Sequence, residues 1–191
     1  KPGGHRDTTY LAEVIKTQQI TTTHFVPSML QVFLQDNASA GCSSLKQVFC
    51  SGEALSYDVQ RRFFMRIENA GLHNLYGPTE AAIDVTYWNC ERDTAARTVP
   101  IGRPTANTKL YIVDTNGKRT PLGVPGELWI SGIQVARGYV SQPELTAERF
   151  ITDPFSTNSR VYRTGDLVRF REDGAIEFLG RIDHQVKLRG F

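Results

Sequence analysis

The sequence predicts an α/β protein built in two parts. A partial parallel α/β sheet subdomain is followed by a small antiparallel β subdomain, a distorted barrel. Two observations carry this reading. Up to about residue 99, short apolar or β-branched runs alternate with helix-periodic runs, the order that gives a parallel sheet with right-handed crossovers. From about residue 100 to 180, strand runs are separated by turn dipeptides and helical periodicity fades. The join falls near TVPIGRPTAN.

Each element has a local reason. Leu11, Val14 and Ile15 recur at helical spacing within 8–18. ITTTHFV (20–26) is β-branched and reads as a strand. Pro27 then opens a helix at its first turn, where its missing N–H costs nothing. Residues 45–50 form the next strand. Ser56 suits the N-cap of a helix over 57–69, and 72–76 is a third strand. In the second half, TKLYIVD, a TNGK turn and GELWISG carry strand and hairpin signals. VYRTGDLVRF, EDG and AIEFLGR repeat that pattern, with Asn116-Gly117 and Asp173-Gly174 as turn dipeptides.

Composition excludes several classes. A net charge of +2 with scattered basic residues does not describe a nucleic-acid surface. No run approaches the ~20 apolar residues of a membrane span, and KPGGHRDTTY lacks a signal-peptide core. The three cysteines, Cys42, Cys50 and Cys90, have no metal-ligand spacing and read as free, packing thiols of a reducing compartment; a cytoplasmic location is expected. Lys1 and the terminal LRGF suggest a piece of a longer chain.

In parallel α/β sheets, ligands bind beyond the carboxyl ends of the strands. The predicted strands end near His24, at Cys50-Ser51-Gly52-Glu53 and at Leu75-Tyr76-Gly77. Taken singly, these read as a core histidine, a βα turn and an aromatic-stapled turn. Together they gather an imidazole, a hydroxyl and a glycine loop on one edge. In NLYGPTEAAID (74–84), Tyr76 offers a flat face to a base. Gly77 removes bulk where a ligand would approach the backbone, and Pro78 stiffens the loop. Thr79 offers a hydroxyl to phosphate, and Glu80 a carboxylate to a hard cation such as magnesium.

Four stretches then resemble, in order, the motifs of nonribosomal peptide synthetase adenylation domains within the adenylate-forming superfamily. They are NLYGPTEAAID, GELWISGIQVARGYVSQPELTAERF, VYRTGDLVRF and GRIDHQVKLRGF. The resemblance covers nearly the whole chain and makes it a fragment of the adenylation-domain large core. It implies that residues 1–99 carry half of the amino-acid pocket and the adenine and phosphate motif. Residues 100–180 carry the ribose motif, and 181–191 the hinge to a small carboxy-terminal domain.

The implied reaction joins a carboxylic acid to ATP, giving an acyl adenylate and pyrophosphate, and then passes the acyl group to a carrier domain's phosphopantetheine thiol. By resemblance Tyr76 stacks on adenine, beside Asn74 and Gly77. Thr79 contacts the α-phosphate, and Glu80 helps hold Mg2+. Asp166 binds both ribose hydroxyls, Arg181 lies near ribose and phosphates, and Asp183 is the hinge. Phe178 stands where many relatives have tyrosine. The family's phosphate loop and its amino-group-binding aspartate would precede residue 1. Its catalytic lysine would lie in the carboxy-terminal domain, and Lys187 belongs to the hinge motif instead. The isolated chain is therefore expected to be inactive.

Six positions match the family's substrate pocket: His24, Phe49, Ser51, Leu75, Ile83 and Asp84. Phe49, Leu75 and Ile83 supply bulk, while His24, Ser51 and Asp84 supply donors and acceptors, with Asp84 as a candidate to orient His24. A small hydroxylated side chain fits, and the combination resembles serine-activating domains, including those of catechol-siderophore synthetases. Implied partners are L-serine, a peptidyl carrier domain, a condensation domain and an MbtH-like accessory protein near Thr146 and Ala147. The competing readings are an acyl-CoA ligase and a non-catalytic interaction module.

Overall fold

The computed structural model describes residues 2–182. They form a mixed α/β fold that divides into two compact units. The first holds residues 2–75 and Trp88–Val99, and the second holds Tyr76–Tyr87 and the chain from Pro100 onward. The expectation of one part over 1–99 did not include the excursion of Tyr76–Tyr87 into the second unit.

In the first unit, α1 (Thr8–Thr17) is capped by Asp7, whose side chain accepts from the Tyr10 amide at 3.0 Å. Strand β1 (Thr22–Phe25) leads into α2 (Pro27–Gln35), with proline in its first turn as expected. β2 (Gln47–Cys50) is followed by α3 (Tyr57–Arg66) and β3 (Gly71–Tyr76). Ser56 caps α3 by accepting from the Val59 amide. The helix ends before the expected Asn69. Ile67 is already extended and buried, and the Arg92 guanidinium binds the Phe64 and Glu68 carbonyls past the last turn. β1 pairs with β2, and β2 with β3, in parallel. Phe33, Phe63, Leu30, Leu45, Val48 and Leu72 are sealed in the core.

The sheet continues through two strands that the sequence pattern did not announce, β4 (Thr86–Asn89) and the two-residue β5 (Arg103–Pro104). Its order is β1-β2-β3-β4-β5, and β5 joins antiparallel.

The second unit carries a curled antiparallel sheet, half a barrel, of β6 (Thr108–Val113), β7 (Gly126–Gly132), β8 (Phe150–Thr152), β9 (Arg160–Phe170) and β10 (Ile176–Arg181). Its order is β10-β9-β7-β6, with β8 on β9. A short helix, α4 (Pro143–Arg149), precedes β8. The Asn116-Gly117 turn forms, with Asp114 Oδ1 accepting from the Asn116 and Lys118 amides. It closes on a Val113–Arg119 bridge rather than directly on β7, because PLGVP intervenes. The Asp173-Gly174 turn joins β9 to β10. Ile112, Leu128, Ile130, Val168 and Ile176 form the core.

Among the described residues no helix is long and apolar enough to cross a membrane. All three cysteines are free thiols, and Cys42 and Cys50 are buried. Burial raises all three thiols, Cys90 to about 12, which suits packing and not nucleophilic chemistry.

Candidate functional site

Two side-chain clusters, one in each unit, hold some of the expected site residues.

In the first unit, strand register builds the cluster. His24 lies opposite Phe49, and Phe49 opposite His73, so the three share one face of the parallel sheet. Ser51 follows Phe49 by two residues, and Leu75 follows His73 by two. His24 Nε2 and Ser51 Oγ are 2.8 Å apart, a hydrogen bond between two strand ends. Phe49 stacks on His73 with ring centroids 4.8 Å apart. His73 Nδ1 in turn reaches Asn89 Oδ1 at 2.8 Å. The sequence reading missed His73, which lies in no motif stretch and is placed only by register. Asn74 pairs with Cys50 in the register, on the opposite face, and is buried.

In the second unit, Tyr76 and Asp166 meet. The Tyr76 hydroxyl donates to Asp166 Oδ2, and Arg181 Nη1 donates to Asp166 Oδ1 at 2.8 Å. Tyr76 and Asp166 are nearly sealed, and the Arg181 side chain is largely covered. Burial first, and then the Asp166 charge, push the Tyr76 phenol well above its ordinary range, so it remains a donor. Asp166 thus meets a phenol on one oxygen and a guanidinium on the other. The RTGD segment of β9 is itself fixed: Thr164 Oγ1 donates to the Leu128 carbonyl and accepts from the Asp166 amide. Glu127, unnoticed in the sequence, accepts from the Gly165 amide.

Thr79 and Glu80 sit on a 3-10 turn, Thr79–Ala81. Thr79 is exposed and Glu80 half-buried. Ala82 and Ile83 both adopt positive φ, 55° and 76°. For a β-branched residue such as Ile83 this is strained backbone. A Cβ on Gly77 would overlap the Ile83 carbonyl oxygen and come within 2.9 Å of the Val85 nitrogen. This adds a reason for Gly77 that the sequence argument did not give: the chain's own backbone approaches it closely. Ile83 is 61% exposed, and Asp84 is half-buried. Both belong to the second unit. The expected hinge, Asp183, lies outside the described residues.

Glu80 carries two contacts from one segment. Its carbonyl accepts from the Ala136 amide at 2.8 Å, and its Oε1 accepts from the Tyr139 hydroxyl at 2.6 Å. Among the described residues no group of three His, Cys, Asp or Glu gathers to hold a metal. A single carboxylate with lone pairs to spare still suits Mg2+, which keeps several waters and is often held through one or two carboxylates plus substrate phosphates.

These features define a class. The sequence pattern of the family described as AMP-binding enzyme matches residues 1–140, and the chain belongs to that family, as an AMP-binding domain of the nonribosomal peptide synthetase adenylation type. Phosphinothricin tripeptide synthetase PhsB of Streptomyces viridochromogenes is 54% identical over 191 residues, all of this chain and 16% of that protein. Enterobactin synthase component F of Escherichia coli is 48% identical over 198 residues, covering 100% of this chain and 15% of its own length. The chain thus spans about a sixth of these relatives. Among solved structures, holo-PA1221, an NRPS protein with adenylation and PCP domains bound to a vinylsulfonamide inhibitor, superposes with a TM-score of 0.89. It is 29% identical and matches 96% of this chain and 32% of that one. The synthetase FmoA3 gives 0.85 at 29% identity, over 92% of this chain and 19% of its own.

Proposed function

We propose that this chain is a fragment of an adenylation domain that contributes part of the ATP site and half of the pocket for an amino acid, L-serine, within a nonribosomal peptide synthetase. The observation that carries the nucleotide half is the joining of Tyr76, Asp166 and Arg181, drawn from separate motifs, into one buried cluster. Asp166 accepts from the ribose hydroxyls, Tyr76 and Asn74 serve the adenine, and Gly77 keeps their loop tight. Arg181 places positive charge beside ribose and phosphates. Thr79 donates to the α-phosphate.

A carboxylate oxygen of the amino acid attacks the α-phosphorus. The bond to the bridging oxygen breaks, and pyrophosphate leaves with its electron pair. Glu80 would help hold Mg2+, which would neutralise phosphate charge when bound. The residues here supply position and fixed charge, which is the main work in such transfers. The aminoacyl group then moves to a carrier domain's phosphopantetheine thiol, with Asp183 as the hinge between the half-reactions. A condensation domain downstream of that thioester and an MbtH-like accessory protein belong to the same proposal.

The serine half rests on the hydrogen bond between His24 and Ser51 beside Phe49. Paired donors and acceptors next to bulk favour a short hydroxylated side chain. Leu75, Ile83 and Asp84 are assigned to the same substrate by resemblance. The likeness to enterobactin synthase component F supports siderophore biosynthesis as a setting. A cytoplasmic place and inactivity of the isolated segment complete the reading.

ATP–pyrophosphate exchange by the intact synthetase is the test. Exchange that depends on an amino acid and not on a fatty acid is the expected result. Exchange driven by a fatty acid would make this an acyl-CoA ligase-type enzyme instead.

A further inference from the structure

Glu80 is held from two directions by the segment 136–139. Ala136 donates its amide to the Glu80 carbonyl, and Tyr139 donates its hydroxyl to Glu80 Oε1. That segment is itself secured. Arg160 Nη1 binds the Arg137 carbonyl at 3.0 Å and Nη2 the Ala136 carbonyl at 2.6 Å. Thr146 Oγ1 accepts from the Tyr139 amide at 2.9 Å. The Tyr139 ring meets Phe150 edge-on at 5.4 Å, and its hydroxyl lies 3.5 Å from that of Tyr162. Side chains and backbone together therefore aim one phenol at one carboxylate oxygen.

We infer that Tyr139 is a positioning residue for Glu80: its hydroxyl fixes the carboxylate rotamer and turns the remaining lone pairs toward a divalent cation. The inference rests on the reading of Glu80 given above. Groups that hydrogen-bond a metal-binding carboxylate commonly govern metal affinity.

The test compares wild type with Tyr139→Phe in the intact synthetase. Mn2+ binding in the presence of ATP is followed by electron paramagnetic resonance, and Mg2+ dependence by pyrophosphate exchange. Tyr139→Phe keeps the ring and its packing. It is expected to weaken Mn2+ binding and raise the Mg2+ half-saturation about tenfold, with the rate restored by excess Mg2+. Thr146→Val, which removes the anchor of the Tyr139 amide, is expected to shift both the same way by less. It answers the question if Tyr139→Phe does not fold. Tyr111→Phe removes a phenol from another buried carboxylate, Asp153, and should leave metal dependence unchanged. Unchanged Mn2+ affinity in Tyr139→Phe, or a rate loss that Mg2+ does not relieve, overturns the inference. If wild type shows no amino-acid-dependent exchange, the functional reading fails, while the Mn2+ titration still judges Tyr139.

Discussion

The hydroxyl of Tyr76 donates to the carboxylate of Asp166, 90 positions further along the chain, inside a cluster that Arg181 completes. This contact joins two sequence motifs that share no local signal. It also gives Asp166 more than one role, so its removal has separable consequences.

Asp166→Ala in the intact synthetase is predicted to weaken ATP binding by roughly 1.5–3 kcal/mol, the range for hydrogen bonds to a charged group. It also removes the Asp166–Arg181 ion pair, so the unfolding temperature should fall as well. Calorimetric ATP titration beside thermal unfolding separates the two effects. An ATP affinity equal to wild type would remove Asp166 from the nucleotide site.

Gly77→Ala is predicted to destabilise, because the added methyl meets the Ile83 backbone, not a flexible side chain. Overpacking of this kind costs about 1–3 kcal/mol. Gly52→Ala is the control. Its φ of 87° is strained, but its Cβ would meet nothing within 4 Å, leaving a cost of about 1–2 kcal/mol. Thermal unfolding of both variants checks the order.

Asp153 offers a pH prediction. Burial raises its carboxyl, but the Phe155 amide and the Ser131, Ser159 and Tyr111 hydroxyls outweigh that and hold it below the ordinary value of 3.8. A carboxylate lowered on folding stabilises above its unfolded pKa and loses that contribution as pH falls through the folded one. Hydrogen exchange at the Phe155 amide, bonded to Asp153 Oδ1, should therefore accelerate below about pH 4 beyond the intrinsic trend. Asp153→Asn should remove that extra pH dependence.

The proposed contact with an MbtH-like protein is tested on α4. Thr146 already serves Tyr139, so Ala147, which is exposed, is the better probe. Ala147→Glu is predicted to abolish co-purification with the accessory protein. Equal recovery of both forms would move the contact elsewhere.

Much of this fold was legible in sequence for identifiable reasons. Pro27 and Ser56 marked helix starts that formed, and the alternating runs named the long strands. β4, β5 and β8 escaped because four, two and three residues carry too little periodicity. The motifs pointed to Tyr76, Asp166 and Glu80 one at a time. The contacts that join Glu80 to Tyr139 and Phe49 to His73 depend on tertiary packing and sheet register, which no local pattern encodes.

The proposed activation of serine through His24 is tested by amino-acid-dependent pyrophosphate exchange on the intact synthetase, comparing wild type with His24→Ala. A site built to bond a hydroxyl should reject alanine strongly, while threonine, one methyl larger, should lose only about 1–3 kcal/mol. Wild type is expected to prefer serine over alanine, and His24→Ala to lose that preference. A wild type that prefers alanine or a large apolar amino acid, or a serine-to-alanine ratio that His24→Ala leaves intact, would contradict it.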